Sequence, residues 1–226
     1  MRVQLFATCL GDLVFPEAVA DAEALLRGAG CDVRFPPGQT CCGQPAFNAG
    51  HRRAARRLAR AFVRAFSHDE PVVCPSGSCA AMVAHRVPEL AGCAPFEVWE
   101  LSSFLDHLGA APPARNEGVR IAYHSSCHLL RELGVDAAPR RLLARTGAEL
   151  VDLRRPDLCC GFGGTFAVRQ PEISVAMADD KLADGAQADV LATADPGCLM
   201  HLQARAARTG GVRVQHLASV LARGAV

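Results

Sequence analysis

The feature that most limits how this chain can fold is a cysteine pattern written twice. Cys41-Cys42-Gly43 follows Cys9 by 32 positions, and Cys79 comes 37 after Cys42. Cys159-Cys160-Gly161 follows Cys127 by 32 positions, and Cys198 comes 38 after Cys160. The sets are offset by 118 residues with one later insertion, so eight of the eleven cysteines belong to a module used twice. This is a domain duplication, not a short-period solenoid. The fold must therefore bring four residues distant in sequence to one place, and do so in both halves.

Between the cysteines, strand-like and helix-like stretches alternate. Arg2 to Ala7 reads as a strand ending at Cys9, Pro16 to Arg27 as a helix stopped at Gly28-Ala29-Gly30, and Cys31 to Phe35 as a strand before the loop of the first pair. A helix from about 49 to 66 follows, then a strand over 71–73 before Cys79, a helix from Ala80, a strand over 96–99 and a helix over 101–108. The second half repeats this plan, with strands over 119–123, 148–153 and 189–194 and helices over 139–146, 171–185 and 199–208. Val98 to Leu105 even matches Val214 to Leu221.

Alternating strands and helices imply parallel sheets covered on both faces. The expected fold is α/β: two tandem pseudo-symmetric Rossmann-like repeats, residues 1–110 and 119–226, joined by a Pro-containing linker at 111–118. In such sheets ligands collect at the carboxyl ends of the strands. The single cysteines sit just past strand ends and the pairs in strand-to-helix loops, so each set can converge at one sheet edge.

The formal net charge of +1 gives no general reason to bind nucleic acid or an anionic membrane. No apolar run approaches the roughly 20 residues of a membrane helix, and no signal-peptide pattern opens the chain. Eleven cysteines without that pattern point to a reducing compartment, with cytoplasm the expectation, and to metal or redox chemistry. Arg53, Arg56, Arg57, Arg60 and Arg64 share one face of the helix after the first pair and read as a solvated face. Lys181 is the only lysine among 24 basic residues.

Four converging thiolates can hold a tetrahedral zinc or an iron-sulfur cluster. Zinc sites usually leave two to four residues between cysteines of one turn, whereas adjacent thiols diverge, which suits different irons of one cluster. Adjacency therefore favours iron-sulfur, of the four-iron kind and one or two per chain, with zinc as the alternative. Gly43, Gly161, Gly163 and Gly164 let the backbone come close and can offer N–H groups to anionic sulfur. His124 and His128 flank Cys127, and His124 is the candidate for a hydrogen bond to a metal-bound sulfur. Cys31 and Cys93 read as structural; Cys74, close to Cys79, leaves a fifth thiol open in the first half only.

These residues resemble the CCG cysteine-rich domain found in heterodisulfide reductases and in glycolate oxidase iron-sulfur subunits. In layout the chain is most similar to that family's stand-alone two-repeat proteins of lactate utilisation, with Thr40 to Pro45 and Cys159 to Thr165 carrying much of the likeness. The resemblance covers the whole chain. It implies an electron-transfer subunit of a complex oxidising L-lactate to pyruvate, with partner subunits, including a ferredoxin-type iron-sulfur subunit, supplying further clusters. One departure stands out: where the reductase pattern ends in Cys-x-x-Cys, Ser76 and Asp195 occupy the earlier position. That weakens a heterodisulfide-reductase-like thiol-disulfide activity, and a zinc-stabilised assembly subunit is the remaining alternative.

Overall fold

Two four-stranded parallel sheets, one per half, form the frame of the computed structural model, which describes residues 1–225. In the first half β1 (Arg2–Leu5) is followed by α1 (Cys9–Val14), α2 (Pro16–Gly28), β2 (Asp32–Arg34), α3 (Gln44–Asn48) and α4 (Arg52–Ala65). Then come β3 (Val72–Cys74), α5 (Gly77–His85), α6 (Val87–Ala91), β4 (Val98–Glu100) and α7 (Leu101–His107). The second half runs β5 (Arg120–His124), α8 (Cys127–Leu133), α9 (Ala137–Arg145), β6 (Glu149–Val151), α10 (Thr165–Arg169) and α11 (Pro171–Asp184). It closes with β7 (Val190–Thr193), α12 (Pro196–Thr209), β8 (Arg213–His216) and α13 (Leu217–Ala222).

The strand orders are β2-β1-β3-β4 and β6-β5-β7-β8, and the registers correspond: Leu5 pairs with Val73 as Tyr123 pairs with Ala192. The apolar runs of β3 and β7 are buried throughout, as strands covered on both faces must be. Short helices the sequence did not suggest begin at Cys9 and Cys127. Six and seven residues are too few to show a helical period, and the helices are set by their caps: Thr8 Oγ1 accepts from the Gly11 N–H and Ser126 Oγ from the Leu129 N–H. The helix expected from 49 starts at Arg52, because Pro45 opens the separate α3 and Gly50, at φ +81°, breaks the run. The five arginines on the solvated face of α4 are all exposed, as expected.

The halves share a core. Leu101, Phe104 and Leu105 of α7 belong to one buried apolar cluster with Leu142 and Leu143 of α9 and Leu217 and Val220 of α13. The stretch between the sheets is pinned too: Asn116 Nδ2 donates to Thr146 Oγ1 at 2.9 Å, and the Ala225 N–H donates to Asn116 Oδ1 at 2.7 Å. α5 and α8 cross so closely that a Cβ on Gly77 would stand 2.6 Å from Leu129 Cβ. Gly77→Ala should therefore force the crossing apart and cost roughly 1–3 kcal/mol of stability, read from urea unfolding.

Candidate functional site

In both sheets the chain leaves the first strand for one edge and returns to the other side, so the order reverses between β1 and β3 and between β5 and β7. Ligands in open α/β sheets sit at such switch points, outside the carboxyl ends of the strands. Cys9 and Cys127 follow β1 and β5, Cys79 and Cys198 follow β3 and β7, and the loops after β2 and β6 bring in the pairs.

The thiols of each set are neighbours that act on one another's ionisation: Cys9, Cys41, Cys42, Cys79 and Cys74 in the first, and Cys127, Cys159, Cys160 and Cys198 in the second, where the Cys160 S–H donates to Cys198 Sγ at 3.2 Å. Donated S–H groups push the acceptors toward thiolate: Cys41 is lowered by Cys42 and Cys9, Cys79 by Cys42 and Cys74, and Cys159 by Cys127 and Cys160. The donors are correspondingly raised, Cys9 and Cys42 by their bonds to Cys41 and Cys127 and Cys160 by theirs to Cys159. Each set is thus divided between thiols pushed toward thiolate, Cys41 and Cys79 in the first and Cys159 in the second, and neighbours pushed the other way, Cys198 among them; thiolate is the form in which sulfur binds metals.

The glycine after each pair makes that geometry possible. Gly43 and Gly161 sit at φ +92° and +91°, where L side chains are strained, and each N–H donates to the first sulfur of its pair at 3.4 Å. A Cβ on Gly161 would lie 2.5 Å from the Ser174 carbonyl oxygen, while one on Gly43 would meet Leu58 Cβ at 3.3 Å. Gly163 and Gly164 line the cavity between the halves without a hydrogen bond to sulfur.

His124, at the end of β5, is completely buried and neither ring nitrogen has a hydrogen-bond partner. A ring nitrogen and the sulfurs of Cys160 and Cys198 all lie within 4.8 Å of one another. Burial, then the Lys181 charge, hold this imidazole down at about 3. His128, in contrast, is engaged with Glu132. Cys31 lies in the core, and Cys93 packs at the edge of the apolar cluster that also holds Cys42, Cys74 and Cys79.

Cys74 and Lys181 gain weight from the structure. Cys74 is buried against Cys79, so the first set has a fifth thiol that the second lacks, Thr193 standing in its place. Lys181 is fully buried, its Nζ donates to the Arg155 carbonyl at 2.8 Å, and its charge acts on Cys160 and Cys198. Among the described residues it forms no ion pair. Its being the only lysine, at an apolar register of a helix, was the sequence signal for it.

The two sets face each other. All four cysteines of each, with Ser76, Ser126, Phe162 and Asp195, line one cavity of about 200 Å³ between the halves. At the two positions where cysteine is replaced, the halves are tied together: Asp195 Oδ2 accepts from the Ser78 N–H at 2.8 Å and from Ser76 Oγ at 3.4 Å, while Asp195 Oδ1 caps α12 through the Gly197 N–H. A second tie is His216, whose Nε2–H donates to the Pro75 carbonyl at 3.1 Å and whose Nδ1 accepts from the Ala218 N–H.

Duplicated parallel sheets with a Cys…Cys-Cys-Gly…Cys set at each switch point define a tandem cysteine-rich α/β protein. The chain belongs to the CCG cysteine-rich domain family, whose model matches residues 3–84 and 121–203. It is similar to lactate utilization protein A of Geobacillus kaustophilus, 44% identical over 98% of both chains. It is also similar to lactate utilization protein A 2 of Bacillus cereus strain Q1, 39% identical over 99% of both, and to lactate utilization protein A 1 of Bacillus anthracis strain CDC 684, 38% identical over 99% of both.

Gly161→Ala should cost roughly 1–3 kcal/mol, from left-handed strain and contact with a carbonyl, and Gly43→Ala less, both read by urea unfolding. His216 supplies a pH dependence. Burial holds its imidazole down at about 4, so between the ordinary value near 6.5 and that point the unfolded chain binds a proton that the folded chain does not. Stability should be full above pH ~6.5 and fall as pH drops toward 4, by about 3 kcal/mol from this residue. His216→Gln should make that slope shallower in urea unfolding measured across the range, leaving the share of the buried His124, which has the same sign.

Proposed function

We propose that this chain is an iron-sulfur electron-transfer subunit of a complex that oxidises L-lactate to pyruvate in the cytoplasm. In this reading residues 1–110 and 119–226, joined by 111–118, each hold one metal centre. Cys9, Cys41, Cys42 and Cys79 ligate the first, and Cys127, Cys159, Cys160 and Cys198 the second. Partner subunits, including a ferredoxin-type iron-sulfur subunit, supply the electron path onward. The coarser part of the reading, a role in lactate utilisation, rests on the names of the relatives; among the described residues no helix is long and apolar enough to cross a membrane.

The observation that carries the metal reading is the convergence of eight cysteines, four from each half, on one cavity. The buried ammonium of Lys181 needs negative charge close to it; Asp184 and Asp157 supply the larger part and Cys160 of the second set adds to it. The donor sets fit an iron-sulfur centre: soft thiolates only, two of them adjacent, with backbone N–H groups aimed at sulfur. A bound cluster would supply one-electron redox chemistry. The chain's own contribution is to gather the thiols, to hold the first sulfur of each pair with the N–H groups of Gly43 and Gly161, and to line the cavity with Leu10, Pro45, Phe162 and Pro196. His124 would set the electrostatic surroundings of the second centre, and Gly163 and Gly164 would let the backbone pass close to it.

Protein purified without oxygen should carry about four irons and four acid-labile sulfides per occupied set. Cys42→Ser and Cys160→Ser should each bleach the visible absorbance of one centre. Zinc in stoichiometric amount without sulfide would overturn the reading in favour of a zinc-stabilised assembly subunit, and colour surviving both substitutions would overturn the ligand assignment.

A further inference from the structure

The repeats correspond in sequence and register, yet the positions beside the two cysteine sets are apolar in the first repeat and polar in the second, where one carries a cation. α4 and α11 each have 14 residues, and Phe62 and Lys181 are both the eleventh. Phe6 follows β1 at the place His124 takes at the end of β5, each beside the last residue of the neighbouring strand, Cys74 or Thr193. In the first repeat Phe6 and Phe62 pack edge to face, with ring centroids 5.3 Å apart. In the second, the same pair of positions holds an imidazole and an ammonium, both fully buried.

The next positions differ in the same sense. Cys74 adds a fifth thiol to the first set where Thr193 offers a hydroxyl with no partner. Glu100, capping α7, is a buried carboxyl with Oε1 unpartnered whose charge reaches Cys74, whereas its counterpart capping α13 is His216. Asp195, which faces both halves, opposes ionisation of Cys79 in the first set and of Cys127 and Cys198 in the second. Asp184 and Asp157 lie on the Lys181 side and offset part of its charge; the Asp184 carboxylate also accepts from the Arg154 and Arg155 N–H groups at 3.0 Å and is near the Arg154 guanidinium. The first set therefore sits among phenyl rings, an extra thiol and a carboxyl, and the second among imidazoles and a buried ammonium.

We infer that the two sets hold centres of unequal reduction potential, the second being the more easily reduced, because His124 and Lys181 stand where the first repeat has Phe6 and Phe62. Adding an electron adds negative charge, and a nearby buried cation stabilises that charge strongly in a low-dielectric surrounding. At the corresponding positions of the first set, Phe6 and Phe62 supply no such charge. An electron shared between the centres resides on the second. This rests on the iron-sulfur reading above, and it concerns only the relative properties of the two sets.

The test is a potentiometric titration of the anaerobically purified full chain, followed by electron paramagnetic resonance, with iron and sulfide counted on the same sample. Two midpoints are expected. In protein labelled with 15N-histidine, the hyperfine coupling to nitrogen should appear on the higher-potential signal, that of the set beside His124. Lys181→Met should lower the higher midpoint, shifting the electron-sharing equilibrium at least ten-fold, about 59 mV for a one-electron couple, and leave the lower one in place.

A single midpoint for both centres, nitrogen coupling on the lower-potential signal, or an iron-loaded Lys181→Met protein with neither midpoint moved would overturn the inference while leaving the iron-sulfur reading intact. Absence of iron and sulfide from the wild-type protein would overturn both. The midpoints and the coupling are read on the wild-type chain, so the inference stays open to refutation even if the variant does not fold.

Discussion

Strands that run the same way deliver their carboxyl ends to one edge, and that constraint organises everything else here. Because the order reverses beside β1 and again beside β5, the two single cysteines of each set are brought to the crevice where no crossover helix covers the sheet edge. The pair then has only to arrive from the loop of the adjoining edge strand. A glycine at φ near +90° turns that loop and aims its N–H back at the first sulfur. Remove the parallel register and the thiols of a set, spread over 70 positions in the first repeat and 71 in the second, have no reason to meet.

The same frame explains the departure from the Cys-x-x-Cys ending. Ser76 and Asp195 occupy N-cap positions of α5 and α12, and both helices start at the seam between the halves. Serine and aspartate are strong N-caps, and here they also bond to each other across the seam. The replaced positions thus serve the joint between repeats, and Cys74, one residue pair upstream on β3, lies against Cys79 from the strand side. The seam is apolar in the core where α7, α9 and α13 meet, is rimmed by ion pairs of Arg141 and Arg145 with Asp106 and of Arg223 with Asp21, and is polar again where the cavity opens between the two cysteine sets.

Thr8 is the one described residue other than glycine with positive φ, at +65°, and it lies directly before Cys9. Its counterpart Ser126 caps α8 at an ordinary φ of −63°. The strain, of order 1–3 kcal/mol for such a conformation, is held by the α1 cap and the buried setting of Thr8, another sign that the two sets are alike in ligands and unlike in surroundings.

Sequence alone determined the duplication, the α/β class, the order of the main strands and helices, and the eight thiols that meet in two groups. These are local or periodic properties: spacing, alternation and turn residues are written along the chain. It could not reach the short capped helices at Cys9 and Cys127, whose few residues show no period, nor the weight of Lys181, whose burial depends on what packs over α11. Above all it treated the halves as separate lobes, each with its own sheet edge. Only the tertiary structure set the two edges face to face around one cavity, because that arrangement comes from apolar surfaces of α7, α9 and α13 finding one another and from Asp195 reaching Ser78 across the seam. Such contacts join residues of different repeats, those of Asp195 with Ser78 lying 117 positions apart, and no spacing within either repeat encodes them.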